Sequence, residues 1–175
     1  MKINKTSFFV AGVALFGVMN AANAADGTVN FIGEITDETC TIDTGSQNLT
    51  VNLGKVSKSS LDGAAGKKSS PTGFQLNLTS CPATVTGTTV KFDGTADSNN
   101  SNLLKLTQDA GVATGVGIEI ADKVGTAIPL YSESMVYPLA AGSNSLNFVA
   151  RYVSTLASVT TGPANGVTQF TLNYQ

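Results

Sequence analysis

The chain closes with the sequence FTLNYQ, residues 170–175, in which an apolar side chain occupies every second position up to the penultimate one. Phe170, Leu172 and Tyr174 alternate there with polar neighbours. Side chains of a β-strand point alternately to opposite faces of a sheet. This period of two therefore predicts a strand with one face in a core and the other in water.

The same alternation recurs through most of the chain after residue 25, and no segment there carries a sustained helical apolar stripe. Two polar, turn-rich segments, 57–73 and 94–102, are predicted to be loops, with room for one short helical turn at 59–65. Regularly spaced strands separated by such turns predict one all-β domain, a sandwich of the immunoglobulin-like kind. The alternating apolar positions are Phe74, Leu76 and Leu78, then Val116, Ile118 and Ile120, then Leu146, Phe148, Ala150 and Tyr152.

The first 24 residues have the three parts of a secretory signal peptide. Lys2 and Lys5 precede an apolar run over residues 8–19, and small residues at 22–24 (Ala-Asn-Ala) provide a cleavage site. A membrane anchor is the less favoured interpretation, because the run is about half of the roughly 20 residues that a span requires. Cleavage after Ala24 would leave residues 25–175, which is enough for one domain with a real core.

Export changes how the two cysteines are interpreted. Cys40 and Cys81 both lie after the predicted cleavage site, and an even number of cysteines in an oxidising compartment suggests one disulfide. Closing a loop over residues 40–81 would stabilise the domain by about 4 kcal/mol in the chain-entropy account. The sequence has no histidine, which argues against a zinc site.

Composition also argues against several classes of function. Without Lys2 and Lys5, 8 of the 10 basic residues remain against 12 acidic ones, a net charge of −4 with no basic stripe for nucleic acid. General-base catalysis would rest on carboxylates or lysine, and the acidic residues are scattered, so we expect neither an enzyme nor a cofactor. Residues 93–101 are rich in oxygen ligands but lack the calcium-loop spacing and its glycine, so we expect a polar loop and no metal.

A second alternating segment lies between the predicted cleavage site and Cys40. Every second residue there is apolar or glycine, and the residues between are mostly polar. The pattern alone leaves two interpretations open, an ordinary first strand of the sandwich or an arm that pairs with another molecule. The apolar or small positions are Gly27, Val29, Phe31, Gly33 and Ile35.

Taken in order along the chain, these features resemble the chaperone–usher pilins, specifically the type 1-like fimbrial subunits. The resemblance covers essentially the whole sequence. It is carried by the signal peptide, the short alternating extension, Thr39-Cys40-Thr41, Ser80-Cys81-Pro82, Ala150-Arg151-Tyr152, Gly162 as the 14th residue from the end, and the penultimate Tyr174.

The resemblance implies an incomplete immunoglobulin-like sandwich, residues 39–175, that a strand from a neighbouring subunit completes. Its donor would be the extension 25–38, with the five alternating residues from Gly27 to Ile35 filling the groove. It further implies a periplasmic chaperone and an outer-membrane usher as partners, export through the periplasm to a surface fimbria, and support of adhesion. The residues expected at the chaperone-bound C-terminal strand are Gly162, Phe170, Leu172 and Tyr174.

The competing prediction from another class is a secreted carbohydrate-binding β-sandwich, an adhesin or lectin. The sequence has no tryptophan to stack on a sugar. Adhesive subunits of the resembled family also carry an additional N-terminal domain, for which residues 25–175 leave no room. Within the family the sequence leaves open whether this is a major shaft subunit or a minor adaptor, since the extension is as short as that of adaptors.

Overall fold

A computed structural model describes residues 27–33, 35 and 38–175. The predicted signal peptide, residues 1–24, lies outside the described residues. The chain divides into two units, residues 1–35 and residues 36–175, and the fold belongs to the second. Within the described part, no helix has the length and apolar character needed to span a membrane.

Among the described residues the domain forms eight strands and two helices of one turn each, so the all-β prediction is confirmed. The helices are α1, Thr44–Gln47, and α2, Lys58–Leu61. The strands are β1 (Thr41–Ile42), β2 (Thr72–Cys81), β3 (Gly87–Gly94), β4 (Leu104–Lys105), β5 (Val116–Asp122), β6 (Tyr137–Pro138), β7 (Gly142–Ser154) and β8 (Thr168–Tyr174).

The strands form two antiparallel sheets packed as a sandwich. One sheet has the order β1-β2-β7-β5-β4, and the other has the order β6-β3-β8. At the centre of the larger sheet β2 and β7 pair with Phe74 opposite Phe148. Phe92 of β3 meets Phe148 edge-to-face, with ring centroids 5.4 Å apart. Because these two rings come from opposite sheets and are almost fully buried, their contact marks the middle of the core.

The predicted disulfide is present between Cys40 and Cys81, with an S–S distance of 2.06 Å. It joins the residue before β1 to the last residue of β2. The start of the domain is therefore fixed covalently to the larger sheet.

Strand β5 departs from the half-buried pattern that its sequence predicts, because all seven of its residues are buried. Val116, Ile118 and Ile120 face the core as expected. On the other face Gly117 is covered by Leu103, and a Cβ there would lie 3.0 Å from the Leu103 Cβ. The prediction of a water-exposed outer face for β5 was therefore wrong, since alternation cannot reveal a covering loop.

The loop predicted over residues 57–73 ends too late, because β2 begins at Thr72. The short helical turn predicted within 59–65 is present as α2, which begins one residue earlier, at Lys58. Strand β3 was not predicted at all. Its buried residues include Thr88 and Thr89, so a polar-looking sequence forms the middle strand of the smaller sheet.

Candidate strand-acceptor edge

Strand β8 has a strand partner on one side only. It pairs antiparallel with β3 from Thr88 opposite Tyr174 to Gly94 opposite Thr168. Within the part of the chain that the structure describes, no strand lies along its other edge. Because an edge strand presents a row of unpaired backbone groups, this edge is a template for pairing with another chain.

The register shows which backbone groups face the open edge. Gly87 and Gln175 exchange both backbone hydrogen bonds, at N···O distances of 3.2 and 2.9 Å. Hydrogen-bonded and non-hydrogen-bonded pairs alternate along an antiparallel ladder. Counting back from Gln175 in steps of two gives the hydrogen-bonded positions Asn173, Thr171 and Gln169. The residues between them, Phe170, Leu172 and Tyr174, are therefore at non-hydrogen-bonded positions. Their amide and carbonyl groups therefore point away from β3.

The opposite side of β3 confirms this register. Val90 and Phe92 lie opposite Leu172 and Phe170. Their carbonyl oxygens accept hydrogen bonds from the segment on the far side of β3. The Ser134 N–H donates to Val90 and the Tyr131 N–H donates to Phe92, each at 2.9 Å. Since a residue presents its amide and carbonyl on the same side of its strand, the facing residues of β8 are not bonded to β3.

The side chains of the same β8 residues face an incompletely covered core. Phe170, Leu172 and Tyr174 pack against the core but are only partly buried, and no residue of β8 is fully buried. Leu146 and Phe148 at the core face of β7, by contrast, are 2% and 1% exposed. The open edge thus offers backbone pairing and apolar contact at the same three positions.

Contacts at both ends fix the course of β8. At the start, the Thr168 hydroxyl donates to the Asp93 carbonyl at 2.9 Å. At the end, the Thr86 N–H donates to the Gln175 carbonyl at 2.9 Å. The Tyr174 hydroxyl lies 3.5 Å from the Cys40 carbonyl oxygen, and burial raises the pKa of this phenol. Both ends of β8 are thus anchored to neighbouring segments, and the alternation of partly buried and exposed residues continues along its whole length.

Gly162, which the resemblance groups with the C-terminal strand, lies in the loop before β8. A Cβ at this position would clash with the carbonyl oxygen of Gly111. In the same loop, the Pro163 carbonyl oxygen accepts a hydrogen bond of 2.9 Å from the Ala113 N–H. Gly162 therefore allows two loops to approach closely, and the structure does not bring it into the ladder of β8.

The five alternating positions at the N-terminus lie in the other unit of the chain. Residues 27–33 and 35 belong to no strand. The side chains of Val29, Phe31 and Ile35 are 75%, 94% and 101% exposed, and nothing lies within 4 Å of a Cβ placed on Gly33. Among the described residues of this unit there is thus no ordinary first strand, which was the alternative interpretation.

A polar network on the outer face of the smaller sheet was not found from the sequence. Glu133, which precedes β6, accepts a hydrogen bond from Asn173 Nδ2 at 2.8 Å and from the Thr89 hydroxyl at 3.0 Å. The Glu133 side chain therefore reaches from the segment before β6, on one side of β3, across β3 to β8 on its other side. No motif signals it, because these three residues come together only through the strand order.

A hollow of about 300 Å³ lies beside Tyr137, between the β5 end, residues 135–138 and the start of β7. The side-chain amide of Asn144, which lines this hollow, is already hydrogen-bonded within the protein: its Oδ1 accepts from the Ala140 N–H and its Nδ2 donates to the Ala140 carbonyl. The Tyr137 hydroxyl is buried without a hydrogen-bond partner, and burial, followed by the charge of Asp122, raises its pKa to about 12. The described residues hold no cluster of three potential metal ligands.

Comparison with known proteins decides the family. The sequence matches the family model described as "Fimbrial protein" over residues 29–175. The chain belongs to this fimbrial family. Among curated relatives, the probable major fimbrial subunit LpfA of Escherichia coli O157:H7 is 40% identical over 99% of this chain and 98% of its own length. The type-1 fimbrial protein A chain of Escherichia coli K12 is 40% identical over the full length of both chains.

Solved structures agree with this assignment. A type I fimbria protein of Burkholderia pseudomallei, described as an antigen, superposes with a TM-score of 0.61 at 40% identity, over 85% of this chain and 97% of that one. The P pilus rod subunit PapA superposes with a TM-score of 0.67 at 27% identity, over 78% of this chain and 99% of that one. The protein is a structural subunit of a surface fimbria, and the carbohydrate-binding alternative is not favoured.

Proposed function

We propose that this fimbrial subunit polymerises by donor-strand exchange, in which the arm 25–38 of one copy pairs along the open edge of β8 in the next. The observation that carries the proposal is the coincidence at Phe170, Leu172 and Tyr174 of unpaired backbone groups and half-buried apolar side chains. An extended peptide that adds to such an edge gains main-chain hydrogen bonds and side-chain pockets together.

The arm has the complementary pattern. Val29, Phe31 and Ile35 are exposed in the described chain and would lie on one face if the arm adopted a strand conformation. Burying each would contribute roughly 1.5–3 kcal/mol before the cost of ordering the arm. We assign Gly33 to a shallow part of the acceptor, where a larger side chain would clash, and Gly27 to the same groove-facing side of the arm.

The proposed contact is head-to-tail, because donor arm and acceptor edge are different surfaces. Contacts of this type do not close on themselves, so a filament of subunits is the expected product. Similarity to a probable major fimbrial subunit and to a pilus rod subunit supports a position in the shaft. The relative abundance of the protein in sheared surface material tests that position against a minor adaptor role.

The open edge also requires protection before assembly. An exposed, half-apolar edge strand is a site of aggregation unless something covers it. We infer that a periplasmic chaperone covers β8 and the loop at Gly162 after removal of residues 1–24, and that an outer-membrane usher exchanges the chaperone for the next arm. In this scheme residues 39–175 form the pilin domain that the assembled fimbria displays for adhesion.

Amide hydrogen exchange can test the donor assignment residue by residue. The mature chain 25–175 would carry Phe31→Asp, which disables its own arm as a donor, and a synthetic peptide of residues 25–38 would be added. We expect the amides of Leu172 and Tyr174 to exchange rapidly without peptide and slowly with it. The amides of Thr171 and Asn173, which face β3, should be protected in both states.

Matched peptides provide the controls for this exchange experiment. A peptide with Phe31→Asp should give no added protection, and a peptide with a bulky residue at Gly33 should associate more slowly. A folded protein whose β8 amides do not respond to the unaltered peptide would exclude donor-strand exchange at this edge.

A further inference from the structure

Glu133 contacts both β8 and its neighbour β3. Its two carboxylate oxygens are used separately, one by Asn173 Nδ2 of β8 at 2.8 Å and one by the Thr89 hydroxyl of β3 at 3.0 Å. Thr89 is only 4% exposed, so its hydroxyl depends on this acceptor within the protein. Glu133 thus bridges the two strands from outside the sheet.

The segment that carries Glu133 is itself held firmly along β3. The Tyr131 N–H donates to the Phe92 carbonyl, and the Ser134 N–H donates to the Val90 carbonyl, both at 2.9 Å. The Ser134 hydroxyl accepts from the Val90 N–H at 2.9 Å. Tyr131 has a positive φ of 63°, a conformation that non-glycine residues adopt only where their surroundings impose it. Glu133 is therefore presented to β8 by a fixed support.

We propose that Glu133 is a positioning residue that holds the C-terminal half of β8 in strand conformation before a donor arrives. The inference rests on the proposed function, since it concerns the empty acceptor. Before exchange, β8 pairs with β3 alone among the described strands, so the stretch between its end contacts should open locally more easily than a strand with two partners. A donor pairs only with the ordered edge, so its apparent affinity and association rate scale with the ordered fraction.

Substitutions at Glu133 separate this role from a general contribution to stability. Glu133→Ala removes both acceptors. Glu133→Gln keeps both contacts but only one acceptor: its amide oxygen accepts from Asn173 Nδ2, while its NH₂ donates to the Thr89 hydroxyl, which then accepts instead of donating. Asp93→Ala is the matched control, since this carboxylate lies on β3 and pairs with Lys91 of the same strand, at 3.4 Å.

The experiment uses the mature chain with Phe31→Asp and a fluorescent peptide of residues 25–38. Glu133 is exposed, and its bonds are few, so we expect a rate effect and not a loss of folding. Glu133→Ala should slow peptide association by about threefold to tenfold and speed exchange of the Asn173 amide by a similar factor. Glu133→Gln and Asp93→Ala should associate at close to the parent rate, and exchange within β7 should be unchanged.

Several results would overturn the assignment. These are an unchanged rate in Glu133→Ala, an equal slowing in Asp93→Ala, a Gln variant as slow as the Ala variant, or faster exchange that extends into β7. Failure of the proposed function has a different signature, since the peptide would then not bind the parent chain at all. Binding at one rate to both the parent and Glu133→Ala would remove only the role of Glu133.

Discussion

Glu119→Ala is the substitution whose effect on stability the structure defines most clearly. The Glu119 side chain is 8% exposed and lies between two cations on neighbouring strand segments. Arg151 reaches one carboxylate oxygen through Nη2 at 2.5 Å, and Lys68 reaches the other at 2.7 Å. Arg151 belongs to the Ala-Arg-Tyr sequence of β7, so the network gives that motif a physical role.

The magnitude follows from how much of each cation is in water. The Arg151 side chain is 15% exposed and would be left as a nearly buried, unpaired charge, which costs about 3–5 kcal/mol. The Lys68 side chain is 44% exposed and can return to water, so Lys68→Ala should cost less than about 1 kcal/mol. Against a total stability of about 5–15 kcal/mol, loss of the Glu119 carboxylate removes a large share.

Urea unfolding of the mature chain, followed by circular dichroism, measures these differences. The controls are the single variant Arg151→Met and the double variant Glu119→Ala with Arg151→Met, in which neither charge of this pair remains. We expect the loss of stability in the double variant to be smaller than the sum of the two single losses, because each single change leaves a charge unpaired. A Glu119→Ala cost below about 1 kcal/mol, or equal to that of Lys68→Ala, would refute the reasoning.

Three other predictions concern separate parts of the chain. Phe31→Asp should fold with its chaperone but fail to enter fibres, and normal fibre yield in surface preparations would contradict its donor role. Tyr137→Phe should not reduce stability at neutral pH, because the phenol has no hydrogen-bond partner. The pKa of the Tyr137 phenol is about 12 in the folded protein and 10.0 ordinarily, so the unfolded chain loses this proton first as the pH rises. The free energy of unfolding should therefore be constant with respect to this group below pH 10 and fall between pH 10 and 12. Unfolding curves across that range should show the fall in the unaltered chain and less of it in Tyr137→Phe, and identical curves would exclude this source. Gly162→Ala should lower stability by about 1–3 kcal/mol through its clash with the Gly111 carbonyl, and an unchanged melting temperature would show that the loops can separate.

The acceptor edge shows how far sequence reasoning reached. Alternation placed Phe170, Leu172 and Tyr174 on one face of a strand, and the structure has them there. It could not show that β8 has one neighbour among the described strands, because strand order depends on contacts between residues distant in sequence. The neighbour itself, β3, was missed because its buried residues Thr88 and Thr89 are polar and break the apolar alternation. Their burial is possible because their hydroxyls are hydrogen-bonded within the protein, which the sequence does not show.

The sequence by itself determined the properties that depend on local pattern and on residue type. A period of two specified strands, two cysteines specified one bridge, and the order of motifs specified the fimbrial family. Only the tertiary structure decided that the backbone of β8 is open, that Gly162 lies outside it, and that Glu119 and Glu133 tie strands together. The physical reason is that alternation fixes which way a side chain points, whereas pairing between distant segments fixes what it meets.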